Sequence, residues 1–416
     1  MHWRSIDAVI DDPTDAVRAQ YERWVYPQPI DDISTSPIRD LSDPVFMGRA
    51  YWPDRPPRED LKILVAGCGP NVAARLAYHH PKSEVVGIDI SEASLAHEHY
   101  LKAKHDLRNL SLHHCRVEDA AGLGKSFDFI ESTGVLHHLP DATAGLKALA
   151  SLLTSDGVVF LMLYGKYGRA GIYMAQELFR ILKLGQSPQD VAILKTALSA
   201  FRPDHPLRQQ RLNSKDLAFD AGIVDMFLHR QDRGFTVGDC LELVDSAGLV
   251  LQDWLSRYLF DPASQFPNSN LREIVSRLPE REAWKAIELF DGRIAMHSFY
   301  ACRRDRDPSR YRIDFNGAAF MDMVPVLRIG WVGAKTSNKT LLLQQNLTGM
   351  KFELDESAAA VAAHIDGKRS VRSCFQESSG RSEIPEPMIS SCRELFRQLW
   401  LAGYCDLVHA DAAVAP

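Results

Sequence analysis

"ILVAGCGPNVAARLAYHHPKSEVVGIDIS", residues 63–91, opens as a buried strand, breaks at two glycines and ends a second apolar run on an acid, Asp89. Strand, glycine turn, helix and second strand in one stretch begin a parallel α/β sheet. Gly67 and Gly69 allow the backbone to approach a ligand that a Cβ would obstruct. The acid follows Gly69 by 20 residues. A dinucleotide needs such a turn and such a carboxylate, and so does a nucleoside carrying a different tail. The rest of the chain has to choose between them.

The pattern continues outward. "SEASLAHEHYLKAKHDL" opens with a serine placed as a helix N-cap, and "LSLHHCRV" reads as a third strand. "FDFIESTGVL" is a fourth strand, "DATAGLKALASLL" a helix, and "TSDGVVFLMLY" a turn and a fifth strand. Strands alternating with helices at this spacing predict a parallel sheet covered on both faces. Ligands of such sheets bind at the carboxyl ends of the strands, beside the switch in strand order. Gly67, Gly69, Asp89 and residues 132–138 are expected to meet there.

The turn itself reads "GCGPNVAA", with no third glycine, and Pro70 lacks a backbone N–H. That is a poor cradle for pyrophosphate. With "GIDIS" and "FDFIESTGVLHHL", the segment resembles the class I S-adenosylmethionine-dependent methyltransferases over about residues 60–165. Two later pieces fit the same family: "FTVGDCLELVDSAGLVLQDW" as a helix and sixth strand, and "MHSFYACRR" as a closing seventh strand. The resemblance implies an α/β, Rossmann-like seven-stranded methyltransferase sheet with S-adenosyl-L-methionine as cofactor. It places Gly67 and Gly69 against the methionine and ribose portions, and Asp89, with Ile90 beside it, on the ribose hydroxyls. It places Val117 and Glu118 at the adenine, although the aligned position is Arg116, and Ser132 and Thr133 beside the methionine. Many relatives carry an acid two residues before the first glycine, where this chain has Val65. The cofactor's amino group then needs other acceptors, such as backbone carbonyls or Glu131.

Between the fifth and sixth strands lies a long insertion, helical over about residues 166–224 and rich in Arg, Tyr and His. It is expected to roof the methyl-donor pocket. Tyr164, Tyr167, Arg169, Asp225, His229, Asp232 and Arg233 flank it as substrate-side candidates, or as bonds that pin it. An amine nucleophile must be neutral, so the pocket must desolvate it or accept its proton. His229, Tyr164, Tyr167 and His137 are therefore the expected catalytic residues. The pair His137–His138 follows the fourth strand and also reads as a packed turn. No metal is implied, because no third ligand stands at a recognisable spacing.

Residues 1–58 form a proline- and aromatic-rich cap segment. Its "QYERWVYPQP" resembles a segment that folds over the cofactor in some bacterial methyltransferases, so Tyr21 and Tyr26 are expected to cover the cofactor or to pack beside it. The resemblance implies a methyltransferase domain over residues 59–304, and residues 305–416 are expected to form a small winged-helix-like domain. The latter resembles the accessory domain of bacterial protein-lysine methyltransferases, and reads as an interaction module or a homodimer surface.

Bulk properties bound the partners. The chain has 416 residues, enough for two or three units, and 45% hydrophobic and 25% charged residues, as in globular proteins. A net charge of -6 argues against a nucleic-acid partner. No apolar run is long enough for a membrane span, and the N-terminus lacks the pattern of a signal peptide. Seven scattered cysteines read as reduced thiols of a cytoplasmic protein. The expected activity is methyl transfer to a nitrogen or oxygen nucleophile on a protein or peptide, with a small metabolite as the alternative substrate. A non-catalytic cofactor-binding protein and a nucleotide-dependent oxidoreductase stay open as other classes.

Overall fold

The structure, a computed structural model, describes residues 13–35, 42–209, 216–266, 268–336, 340–346 and 349–413. Seven strands form the main sheet: β1 (Lys62–Ala66), β2 (Glu84–Asp89), β3 (Leu110–His114), β4 (Phe127–Thr133), β5 (Leu153–Tyr164), β6 (Leu249–Trp254) and β7 (Met296–Arg303). Their order is β3-β2-β1-β4-β5-β7-β6. β1 to β5 are parallel and β7 is antiparallel to β5. This is the Rossmann-like, seven-stranded sheet expected from the sequence. The central strands are apolar runs without alternation because both faces are covered: Ile63, Leu64, Phe129, Ile130, Val158 and Val159 are fully buried. The order reverses between β1 and β4, which opens the crevice above their carboxyl ends.

The chain divides into two compact units. The first comprises 1–38, 59–251 and 279–304, and the second 39–58, 252–278 and 305–416. The dividing line thus falls inside β6. The second unit draws in residues 42–58 and 252–278 through buried polar bonds. Gln252 donates to the carbonyls of Ala50 and Tyr51 at 3.3 and 3.0 Å, and Arg306 donates to Gln252 Oε1 at 3.0 Å and to the Tyr51 carbonyl at 3.2 Å.

The rest of the second unit holds β8 (Val324–Leu327), β9 (Trp331–Lys335), β10 (Leu341–Gln345), β11 (Lys351–Leu354) and β12 (Cys405–Val408). β9, β10 and β11 form one antiparallel sheet, and β8 pairs with β12. Helices Glu356–Ala362, Val371–Ser379 and Glu386–Leu401 pack on a core of Phe320, Val371, Phe396 and Leu399. Among the described residues no helix is long and apolar enough to cross a membrane.

Candidate functional site

The glycine turn after β1 has the backbone its sequence demands. Gly67 and Gly69 have φ of +78° and +55°, in the left-handed region that disfavours side chains. A Cβ on Gly67 would stand 2.3 Å from Val135 Cγ2. The Gly69 N–H donates to Asp89 Oδ2 and the Ser91 N–H to Asp89 Oδ1, each at 2.8 Å. Each oxygen keeps lone pairs for a further donor. Burial pushes the Asp89 carboxyl up against the pull of these bonds. The helix Val72–His79 after the turn is held by Glu98, which accepts from the Ala73 and Ala74 N–H groups at 2.9 and 2.8 Å. Burial moves Glu98 up to about 8. Nothing in the sequence singled out Glu98, a charge on an otherwise ordinary helix.

Around this floor stand the other residues expected to meet the cofactor. Ile90 carries a carbonyl bonded to His114 Nε2 at 2.9 Å. Val117 is buried, and Glu118 Oε2 is buried without a partner. Ser132 is fully buried, its hydroxyl unpartnered, while Thr133 Oγ1 donates to Glu131 at 3.1 Å.

The cap segment reaches the same place. Asn71 grips it, accepting from the Ile30 N–H and donating to the Gln28 carbonyl, both at 3.0 Å. In the helix Pro13–Arg23, Glu22 accepts from the N–H groups of Glu92 and Ala93, at the start of the helix behind Asp89. Tyr26 stacks on Phe219, ring centroids 6.1 Å apart. Tyr21 turns the other way, into a polar cluster. Replacing Asn71 with Ala removes both grips, each worth about 1 kcal/mol. The expected result is several-fold weaker binding of a ligand at the glycine turn and faster hydrogen exchange over residues 24–35, with the sheet still folded.

The cluster lies at the carboxyl ends of β4 and β5, and the insertion closes it. Tyr21 donates to Asp225 Oδ1 at 2.9 Å and lies 3.2 Å from His229 Nε2. His229 stacks on His138 at 3.7 Å, His137 lies tilted against Tyr164 at 4.1 Å, and the Arg169 guanidinium sits 3.5 Å above the Tyr164 ring. Asp232 accepts from Gln176 at 2.9 Å and lies 3.8 Å from Arg169. His137, His138, Arg169, Asp225 and His229 are all buried. The side chains of Tyr167 and Arg233 are exposed and stay outside these contacts, although the Arg233 N–H donates to the His137 carbonyl at 3.2 Å. Gln20 ties the cap helix to the insertion, accepting from Gln186 at 2.7 Å and from the Arg230 N–H at 3.1 Å.

Burial sets the charges. It pushes His137 and His229 well below their ordinary values, with His138 adding to the effect, so both are neutral. It pushes Tyr21 and Tyr164 up, helped by Asp225, so both keep their protons. Asp225 moves up to about 6, again chiefly through burial. Arg169 offsets Asp232. Asp225 receives one hydrogen bond, from Tyr21, and has no direct ion pair among the described residues, although His138 and Arg169 favour its charged form.

A ring nitrogen of His138, another of His229 and an Asp225 oxygen lie within 4.8 Å of one another. The hydrogen bonds oppose a metal there. The Gln231 N–H donates to His229 Nδ1 at 2.9 Å, so in neutral His229 the proton sits on Nε2 and blocks that atom as a ligand.

The comparisons with known proteins concern the same region. The family described as Methyltransferase domain matches residues 64–159. An uncharacterized protein of Synechococcus sp. is 28% identical over 316 residues, 71% of this chain and 73% of its own. A ubiquinone biosynthesis O-methyltransferase of Neisseria meningitidis serogroup C is 28% identical over 123 residues, 29% of this chain, which spans about half (52%) of that relative's length. Among solved structures, PKMT2 from Rickettsia typhi, also solved with AdoHcy, superposes with a TM-score of 0.64 at 15% identity, over 88% of this chain and 76% of that one.

Proposed function

From the premise that this chain is a class I S-adenosylmethionine-dependent methyltransferase, we propose that it methylates an amine nitrogen presented by a protein or peptide. The observation that carries the reading is Asp225, a buried carboxylate that receives one hydrogen bond and makes no ion pair among the described residues. A buried charge is costly unless it is paired. An ammonium group is the substrate chemistry that would pair it, and tyrosine faces add favourable contact to a cation.

The residues present fit the cofactor. Beside the glycine turn Asp89 keeps free lone pairs, and the buried Ser132 hydroxyl and Glu118 Oε2 lack partners. Bound there, S-adenosylmethionine supplies an electrophilic methyl group on a sulfonium. The chain supplies the rest. Asp89 would hold the ribose, Val117 and Glu118 the adenine, and Ser132 and Thr133 the methionine end. Tyr21 and Tyr26, with the insertion, exclude water, and Asp225 orients the amine for in-line attack. The extent of the insertion and the appended second unit favour a macromolecular substrate. The O-methyltransferase relative covers 29% of this chain and leaves an oxygen nucleophile, or a small metabolite, as the second reading.

Incubating the protein with tritiated-methyl S-adenosylmethionine and a cell extract, then separating by mass, tests the substrate class. Label in base-stable methylamine of protein supports the proposal, and label confined to small molecules or to oxygen overturns it. Asp89→Ala should meanwhile weaken cofactor affinity by about one to two decades, the worth of charged hydrogen bonds of roughly 1.5–3 kcal/mol. An unchanged dissociation constant in calorimetry on a folded variant would remove Asp89 from the ribose.

A further inference from the structure

We propose that His138, and not His229, takes the proton from the substrate amine, because the backbone of Gln231 holds the two stacked imidazoles in opposite tautomers. The inference rests on the amine reading and goes beyond it in naming the base.

The geometry is specific. The Gln231 N–H donates to His229 Nδ1 at 2.9 Å, and the Gln231 carbonyl faces His138 Nδ1 at 2.7 Å. An amide N–H demands a lone pair, and a carbonyl demands a proton. Neutral His229 therefore carries its proton on Nε2 and neutral His138 on Nδ1. His229 Nε2–H then donates to the Tyr21 oxygen, 3.2 Å away, and Tyr21 O–H donates to Asp225. All three donors in this chain point toward Asp225. It fixes the carboxylate and has no vacant lone pair to receive a proton on His229.

His138 is the reverse case. Its Nε2 holds a lone pair that meets no donor among the described residues. The rings of His229, His137 and Tyr164 surround it, the first two neutral. Once protonated, its Nδ1–H still bonds Gln231, and Asp232 Oδ1, unpartnered and 3.9 Å from Nδ1, faces the new charge. Asp225 faces it as well. The step balances: the ammonium N–H bond breaks and an Nε2–H bond forms. The freed lone pair then makes the N–C bond as the C–S bond breaks, its electrons staying on sulfur.

The test uses full-length protein with poly-L-lysine as the amine probe, and the same protein labelled with ¹⁵N-histidine, bound to S-adenosylhomocysteine, for NMR. His138→Asn and His229→Asn assign the two imidazoles. Each asparagine keeps a polar atom near the former Nδ1, so the Gln231 bonds survive. We expect a protonated Nδ1 in His138 and a protonated Nε2 in His229. We also expect about a 10²–10⁴-fold loss of kcat in His138→Asn, the usual worth of a proton-transfer group. His229→Asn should lose less than tenfold and alter the Tyr21 environment. A protonated Nε2 in His138, or a His138→Asn variant within threefold of the wild-type kcat, overturns the proposal. If wild-type protein leaves poly-L-lysine unmethylated, the amine reading loses its support, and the NMR tautomers decide the histidine assignment alone.

Discussion

Asp225→Asn is expected to lower kcat/KM for the amine substrate by roughly 30- to 5,000-fold. The range follows from about 2–5 kcal/mol for removing one partner of a buried, hydrogen-bonded charge pair. The asparagine is nearly isosteric and still accepts from Tyr21, so the cluster keeps its shape and loses its charge. S-adenosylmethionine affinity should stay within a few-fold, because Asp89 and the glycine turn are untouched. Steady-state kinetics with calorimetric cofactor binding separate the two effects. Equal losses in both would make Asp225 a general structural support, and full activity would remove the substrate ammonium from its side.

The same variant should be more stable than the wild type at neutral pH. Asp225 has a folded value of about 6 against an ordinary 3.8. Between these values the folded chain binds more protons than the unfolded one, so stability falls as pH rises through the window. Above it the whole cost is present, up to about 3 kcal/mol for a shift of this size. Asparagine removes it. Thermal unfolding of ligand-free wild type and variant at pH 4 and pH 8 should diverge at pH 8. A carboxylate that costs stability and supports turnover is what a functional site requires.

The sheet was legible because each strand announces itself by composition. "KILVA", "EVVGID" and "FDFIEST" are apolar runs bounded by turn signals, and their burial on both faces is what such runs record. The glycine turn was legible because a left-handed backbone leaves glycine little competition. The polar cluster was legible only as a list of residue types. Tyr21 and Asp225 stand 204 positions apart, and no periodicity links them. A choice between His229 and His138 was not legible for the same reason: a tautomer is set by the backbone of Gln231, which side-chain identity does not reveal. The boundaries were read at 58 from a change of composition and at 304 from the end of the seventh-strand motif, and neither signal registers the Gln252 and Arg306 bonds that tie segments 42–58 and 252–278 into the second unit.

That second unit is the place to expect the largest loss of stability from one substitution. Asp406 on β12 is buried between two guanidinium groups. Arg328 binds it through both nitrogens, at 2.9 and 2.5 Å, and Arg257 Nη1 lies 3.6 Å away. Burial alone would raise the Asp406 carboxyl, but Arg328, with Arg257 behind it, holds it below the usual range. Its stabilising contribution is therefore complete above the ordinary carboxylate value and is lost as pH falls through the depressed one. Asp406→Ala leaves the Arg328 charge without its two-pronged partner, while Arg257 keeps Asp253 at 2.5 Å. Breaking a buried pair from one side costs about 3–5 kcal/mol, a large share of a domain's total stability. Asp406→Asn should recover part of the loss, because its amide oxygen still accepts one guanidinium bond. Denaturant unfolding of the two variants beside the wild type gives the comparison. Equal and small losses would mean that water solvates the arginines as soon as the acid is gone.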